Sequence, residues 1–93
     1  NTIGGQDELV FDGRSFVLNH QGGEQVKLSA FQEAHALTHW NKTKDGWICE
    51  AQPLATQLSD SETVYQAMML GLRDYVEKNR FKGVILGLSG GID

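Results

Sequence analysis

The run Gly83-Val84-Ile85-Leu86-Gly87-Leu88-Ser89-Gly90-Gly91-Ile92-Asp93 changes character halfway, from apolar to small and polar. Val84, Ile85, Leu86 and Leu88 do not alternate with polar residues, which predicts a strand buried on both faces, as in a parallel sheet. The small residues after it let the backbone turn sharply into a helix, and that corner is where α/β proteins hold ligands. Consecutive Gly90 and Gly91 remove the Cβ atoms that would keep a pyrophosphate at a distance, so successive N–H groups can converge on its oxygens. Ser89 adds a hydroxyl donor. Asp93 would repel a bare phosphate, so its role beside one is to hold a divalent cation that bridges to the oxygens. The spacing is neither a Walker loop, which needs Gly-Lys-Ser/Thr, nor the G-x-G-x-x-G dinucleotide fingerprint. Without a ligand, the same residues would be a glycine-rich turn ending a strand.

Upstream of this run, Ser59-Asp60-Ser61-Glu62 offers a capping box, with Ser59 as N-cap and Glu62 reaching back. Two acids in the first turn suit the helix dipole. Val64, Met68, Leu72, Tyr75 and Val76 recur at three- and four-residue steps and predict an inward stripe, with Arg73, Asp74, Glu77 and Lys78 on the wet side. Asn79 and Gly83 supply stop signals. Residues 51–60 hold the only proline, Pro53, and show no clear period, so they read as a linker between two units.

The region from Phe11 to about Glu50 has a β texture. Phe16-Val17-Leu18 and the alternating Val26 and Leu28, separated by Gly22-Gly23, predict a hairpin. Ala36 to Trp40 and Trp47 to Glu50 predict a second, joined by a turn ending in Asp45-Gly46. Phe31 to Ala34 reads as a helical turn. In the opening fifteen residues, Gln6, Asp7 and Glu8 could line a polar pocket, but residue types alone favour a solvated loop with Asp12-Gly13 as a tight turn.

Composition narrows the function classes. The 93 residues are 40% hydrophobic and 22% charged, ordinary for a globular protein, and no apolar stretch approaches the ~20 residues of a membrane span. A net charge of -4 with scattered Lys and Arg supplies no basic field for DNA or RNA. The single cysteine, Cys49, excludes a disulfide framework within the chain, which is compatible with the cytoplasm. A first residue that is Asn and an end inside a loop predict a piece of something larger.

The ending resembles the SGG-x-D-S loop of the ATP pyrophosphatases, which cleave ATP between its α and β phosphates to adenylate a substrate. The opening Asn1-Thr2-Ile3-Gly4-Gly5-Gln6-Asp7-Glu8-Leu9-Val10-Phe11-Asp12-Gly13-Arg14-Ser15 resembles the closing part of the nitrilase-like glutaminase domain of bacterial glutamine-dependent NAD synthetases. In that family a linker, an amphipathic helix, a buried strand and the SGG-x-D-S loop follow, which is the order here. The resemblance implies an α/β chain. Residues 1–50 would be the end of a nitrilase-like α-β-β-α sandwich, 51–60 the linker, and 61–93 the first helix, strand and phosphate loop of a Rossmann-like ATP-pyrophosphatase domain.

It also implies a ligase that amidates nicotinic acid adenine dinucleotide to NAD with ATP and ammonia from glutamine, through an adenylated intermediate. ATP and Mg2+ would be required. Carried over residue by residue, the ATP loop falls on Gly87, Leu88, Ser89, Gly90, Gly91, Ile92 and Asp93, with Asp93 as the metal ligand. The Glu-Lys-Cys glutaminase triad is expected upstream of Asn1, with no catalytic residue inside the chain, which alone should be inactive. The resemblance further implies a homo-oligomer acting on small molecules, with neither nucleic acid nor membrane as partner. Other SGG-x-D-S enzymes, such as GMP, asparagine and argininosuccinate synthetases, share the loop but not the opening. A noncatalytic β-rich interaction module is the reading from another class.

The remaining candidates are weaker. Cys49 follows Trp47-Ile48 in a predicted strand and reads as a buried structural thiol. His35 and His39 stand i, i+4 but lack the Glu of H-E-x-x-H, and a strand through them would separate the rings by more than ~10 Å. They and His20 read as surface or packing residues. Tyr65, Met68 and Met69 read as core or contact residues of the helix.

Overall fold

Residues 1–91 are described by the structure, a computed structural model; Ile92 and Asp93 lie outside the described residues. Three antiparallel hairpins precede one long helix. Strands β1 (Ile3–Gln6) and β2 (Leu9–Asp12) pair first, then β3 (Phe16–Leu18) with β4 (Glu24–Lys27), then β5 (Trp40–Thr43) with β6 (Gly46–Cys49), and α1 spans Asp60–Lys78. This composition is compatible with an α/β fragment. Each sheet has two strands, and among the described residues no parallel pair forms.

The first hairpin replaces the solvated loop expected from residue types. Ile3 pairs with Asp12 and Gln6 with Leu9, which puts the tight turn at Asp7-Glu8. Asp7 takes φ 52, a left-handed conformation that Asp tolerates because its short polar side chain can bond locally. Gly13 is buried and bridges Ala30 instead of turning the chain. Phe31 N–H donates to the Asp12 carbonyl at 2.8 Å, and with φ 57 it opens a bend where a helical turn was expected.

The second hairpin follows the sequence reading. Gly22 adopts φ 83 in its loop, while the Asn19 side-chain oxygen accepts from the N–H groups of Gln21 at 2.9 Å and Gly23 at 2.8 Å. The register shifts between Val17 and Leu18, so the strand is irregular there. The third hairpin forms, but its turn is Lys44-Asp45 with Gly46 opening the second strand opposite Thr43, and its first strand begins at Trp40, not Ala36. His35 and His39 therefore lie outside any strand. The Cys49 thiol is buried, as anticipated.

Residues 51–59 carry no regular structure, yet they are fastened to β4: Gln52 N–H donates to the Gln25 carbonyl at 2.8 Å and Ala55 N–H to that of Lys27 at 3.0 Å. Ser59 caps α1, its hydroxyl accepting from Glu62 N–H at 3.2 Å. Glu62 does not reach back. Its carboxylate accepts from Gln66 one turn on at 2.8 Å, so only half of the capping box forms.

The far end of α1 closes at Asn79 and Arg80. Arg80 N–H donates to the Glu77 carbonyl and Phe81 N–H to that of Val76, a Schellman pair with Arg80 at φ 58. Gly83 takes no part. The Phe81 ring lies 5.8 Å from that of Tyr75 and covers the terminus.

Two expectations fail together. Residues 83–88 form no strand: Val84 is 66% exposed, Ile85 and Leu88 at least 90%. A parallel strand needs neighbours to take its backbone hydrogen bonds and cover both faces, and the described residues offer none. Of the expected helix stripe, Val64, Met68, Leu72 and Tyr75 are likewise exposed, each by more than half, while Val76 is partly buried. The more covered residues of α1 are Thr63, Gln66, Ala67, Leu70, Gly71, Asp74 and Val76, of which Gly71 and Asp74 meet Gly5 and Val10 of the first hairpin. Among the described residues, only Val26, Cys49 and Leu70 are buried hydrophobics. The radius of gyration is 18.7 Å, against about 12 Å for a compact domain of this length. The chain is elongated because its apolar residues greatly outnumber the surfaces available to cover them.

Candidate functional site

The glycine-rich end is open. Residues 83–91 are all exposed, and a Cβ built on Gly87 or Gly90 would meet no atom within 4 Å. Main-chain groups there can be approached without removing a side chain, the requirement for gripping phosphate with backbone amides. Ser89 donates its hydroxyl to the Gly91 carbonyl at 3.0 Å, closing a small local turn. Leu88, the last residue of the apolar run, is 90% exposed. Thus Gly87, Leu88, Ser89, Gly90 and Gly91 lie together on an uncovered segment, without the buried strand edge expected beneath them. Ile92 and Asp93, the remaining positions of the expected loop, are outside the described residues.

A second constellation was not legible as a site. Strand β1 lies against α1 so closely that a Cβ on Gly5 would stand 3.2 Å from the Gly71 Cα, and one on Gly71 would stand 3.2 Å from Val10 Cγ2. Glycines on both surfaces let two backbones approach where larger residues would hold them apart. At this contact Gly5 N–H donates to Asp74 Oδ2 at 2.7 Å, and Lys78 Nζ donates to the Gly5 carbonyl. One peptide strand is therefore read at both its donor and its acceptor by side chains one helical turn apart. Lys78 Nζ also stands 3.8 Å from Asp74 Oδ2, and Arg73 Nε 3.5 Å from Oδ1.

The Asp74 carboxyl is held below its usual range. The Gly5 N–H is the main cause, with the Lys78 and Arg73 charges adding to it, while partial burial works in the opposite sense. Asp74 is thus turned inward, with its side chain only 13% exposed, although the helical pattern placed it on the wet side. The missed signal is the small-residue spacing of Ala67 and Gly71, which marks a face of close approach. Beside the contact runs an open groove of about 700 Å³ lined by Leu9, Val10, Leu72 and Tyr75 among others.

Elsewhere the chemistry is sparse. The Cys49 thiol is enclosed and lies 3.5 Å from the Glu50 carbonyl. No helix is long and apolar enough to cross a membrane among the described residues.

Residues 64–93, which include the whole glycine-rich end, match the NAD synthase family. Over its full length the chain is 45% identical to a glutamine-dependent NAD(+) synthetase of Rhodobacter capsulatus, covering 17% of that protein. It is 40% identical to the one of Acinetobacter baylyi, again covering 17%, and 41% identical to that of a Synechocystis strain, covering 16%. All 93 residues are aligned in each case, so the chain spans about one-sixth of the length of these relatives. The resemblance carried by its two ends is thus a similarity along the whole chain to one segment of glutamine-dependent NAD(+) synthetases, which are ligases.

Proposed function

We propose that this chain is the junction segment of a glutamine-dependent NAD synthetase. Residues 1–50 close a nitrilase-like glutaminase domain, 51–60 link it onward, and 61–93 open a Rossmann-like ATP-pyrophosphatase domain. The observation that carries this reading is the unbroken similarity from Asn1 to Asp93, with the family match running through the glycine-rich end. The loop alone would fit several ligases. Joined to the Gly4-Gly5-Gln6-Asp7-Glu8-Leu9 opening, it favours this one.

In the proposed reaction, ATP adenylates the carboxylate of nicotinic acid adenine dinucleotide and pyrophosphate leaves. Glutamine hydrolysis supplies ammonia, whose nitrogen lone pair attacks the acyl carbon of the adenylate and displaces AMP to give NAD. Residues Gly87 to Asp93 would hold the nucleotide. Backbone N–H groups near Ser89, Gly90 and Gly91 would take the phosphate oxygens, and Ser89 would turn its hydroxyl from the Gly91 carbonyl to a phosphate. Asp93 would hold magnesium, which when bound neutralises charge on pyrophosphate as the bond breaks. The open surroundings of Gly87 and Gly90 are compatible with this role. The neighbouring strands and glutaminase triad would come from the remaining five-sixths of a protein as long as its relatives. The cytoplasm is the proposed location.

The test is to supply the full-length protein with magnesium, ATP, glutamine and nicotinic acid adenine dinucleotide. NAD formed in equal amount with AMP and pyrophosphate is expected. Release of ADP, or no amidation with either glutamine or ammonium, would overturn the reading.

A further inference from the structure

We propose that Asp74 and Lys78 form a latch between the two functional units, gripping the Gly5 peptide so that glutamine hydrolysis stays coupled to NAD formation. The proposal rests on the domain reading above, in which β1 belongs to the glutaminase and α1 to the synthetase. The contact has features that casual packing lacks. It pairs a carboxylate with an N–H and an ammonium with the carbonyl of one residue, so translation or rotation of β1 breaks both bonds. It sits where Gly5 and Gly71 bring the two backbones so close that a Cβ on Gly5 would stand 3.2 Å from the Gly71 Cα. Gly4 stands beside it with φ 133, and a Cβ there would meet Asp74 Oδ2 at 3.0 Å. Three glycines are therefore required by one carboxylate and one helix face.

The latch also accounts for the polar side of α1. A helix whose apolar stripe is exposed has turned its small and polar face to the hairpin, leaving the stripe for another partner. Asp74 and Lys78 act as positioning residues: their hydrogen bonds and ion pairs go to Gly5, Arg73 and each other, and none to residues 83–91. Their effect must then appear in the transfer between units and spare the chemistry of each.

The experiment compares glutamine-supported with ammonium-supported NAD formation in the full-length protein carrying Asp74→Ala, Lys78→Ala or Lys78→Arg. Loss of either grip should lower the glutamine-supported rate by on the order of tenfold and raise glutamine consumed per NAD. The ammonium-supported rate should stay within about twofold. Lys78→Arg keeps a donor and should restore coupling. Lys78 is 62% exposed, so its truncation keeps the test open should Asp74→Ala fail to fold. Equal loss with both nitrogen sources, or no change in either variant, would overturn the latch. Absence of NAD from unaltered protein with ammonium would instead overturn the functional reading beneath it.

Discussion

The first hairpin and the last nine described residues invert the simplest rule of burial. Gly4 and Gly5, with no side chains, are buried against α1, whereas Ile85 and Leu88, among the most apolar residues available, are almost wholly exposed. Hydrophobicity supplies a tendency to leave water, but burial requires a complementary surface within reach. Residues 3–12 find one because glycines and a two-bond grip match the face of α1. Residues 83–88 need strands on either side and helices above and below, which the described residues do not provide. One end of the chain is covered by its own helix, and residues 83–91 at the other lie uncovered among the described residues.

The comparison can be broken most severely at the glycine-rich end. Asp93→Asn should lower ATP-dependent NAD formation by on the order of 100-fold or more, because in the proposed role the carboxylate holds the magnesium that would neutralise charge on the leaving pyrophosphate in the transition state. Steady-state rates in the full-length protein check this, and normal turnover would remove Asp93 from the proposed role. Gly90→Val should raise the ATP KM at least ~10-fold by filling the space where phosphate approaches. An unchanged ATP affinity would contradict that geometry.

Changes at the hairpin should instead affect local stability. Gly5→Ala puts a methyl 3.2 Å from the Gly71 backbone, which cannot swing aside, and should weaken the docking of α1 by on the order of 1–3 kcal/mol. Gly71→Ala meets only the movable Val10 methyl and gains helix propensity of ~1 kcal/mol, so the two effects should nearly cancel. Hydrogen-exchange protection of α1 amides ranks the two variants, and equal protection losses would count against the contact as described. The smallest effect concerns Arg80: replacement by Gly relieves a left-handed residue and should stabilise the helix end by about 1 kcal/mol.

Acid provides a third way to sharpen the contrast. Because the folded-state pKa of Asp74 is depressed, its contribution is present above the ordinary carboxylate value and is lost as pH falls through the lower folded value. The groups facing it are Lys78 and Arg73 on its own helix, the Gly4 and Gly5 main chain of β1, and Glu33 across a shared cleft. A carbon-detected titration of Asp74 should therefore have a midpoint below the usual range. A normal midpoint would mean that the Gly5 N–H is not donated to it.

Local signals were legible in the sequence where short-range chemistry decides structure. Gly22-Gly23 and the Ser59 cap lie where turn and capping rules put them, and the Asp45-Gly46 signal falls within one residue of the Lys44-Asp45 turn. The Asn1–Ser15 motif and the glycine-rich end pointed to the family that the comparisons support. What local pattern could not reveal was which surface meets which. The period of Val64, Met68, Leu72 and Tyr75 identifies an apolar stripe correctly but not whether this chain covers it. The opening residues read as a solvated loop because Gly, Asp and Glu carry little strand propensity, whereas the ladder from Ile3 to Asp12 is held by docking on α1. Asp74 was misplaced for the same reason: its partner is a peptide group sixty-nine residues away.

The most direct measurement is amide hydrogen exchange of residues 87–91 in the full-length protein with and without magnesium-ATP. Gripping of the nucleotide by main-chain N–H groups predicts markedly slower exchange at Ser89, Gly90 and Gly91 when ATP is present, with β5 and β6 unaffected. Exchange at those three amides that stays as fast with saturating ATP as without it would contradict the account.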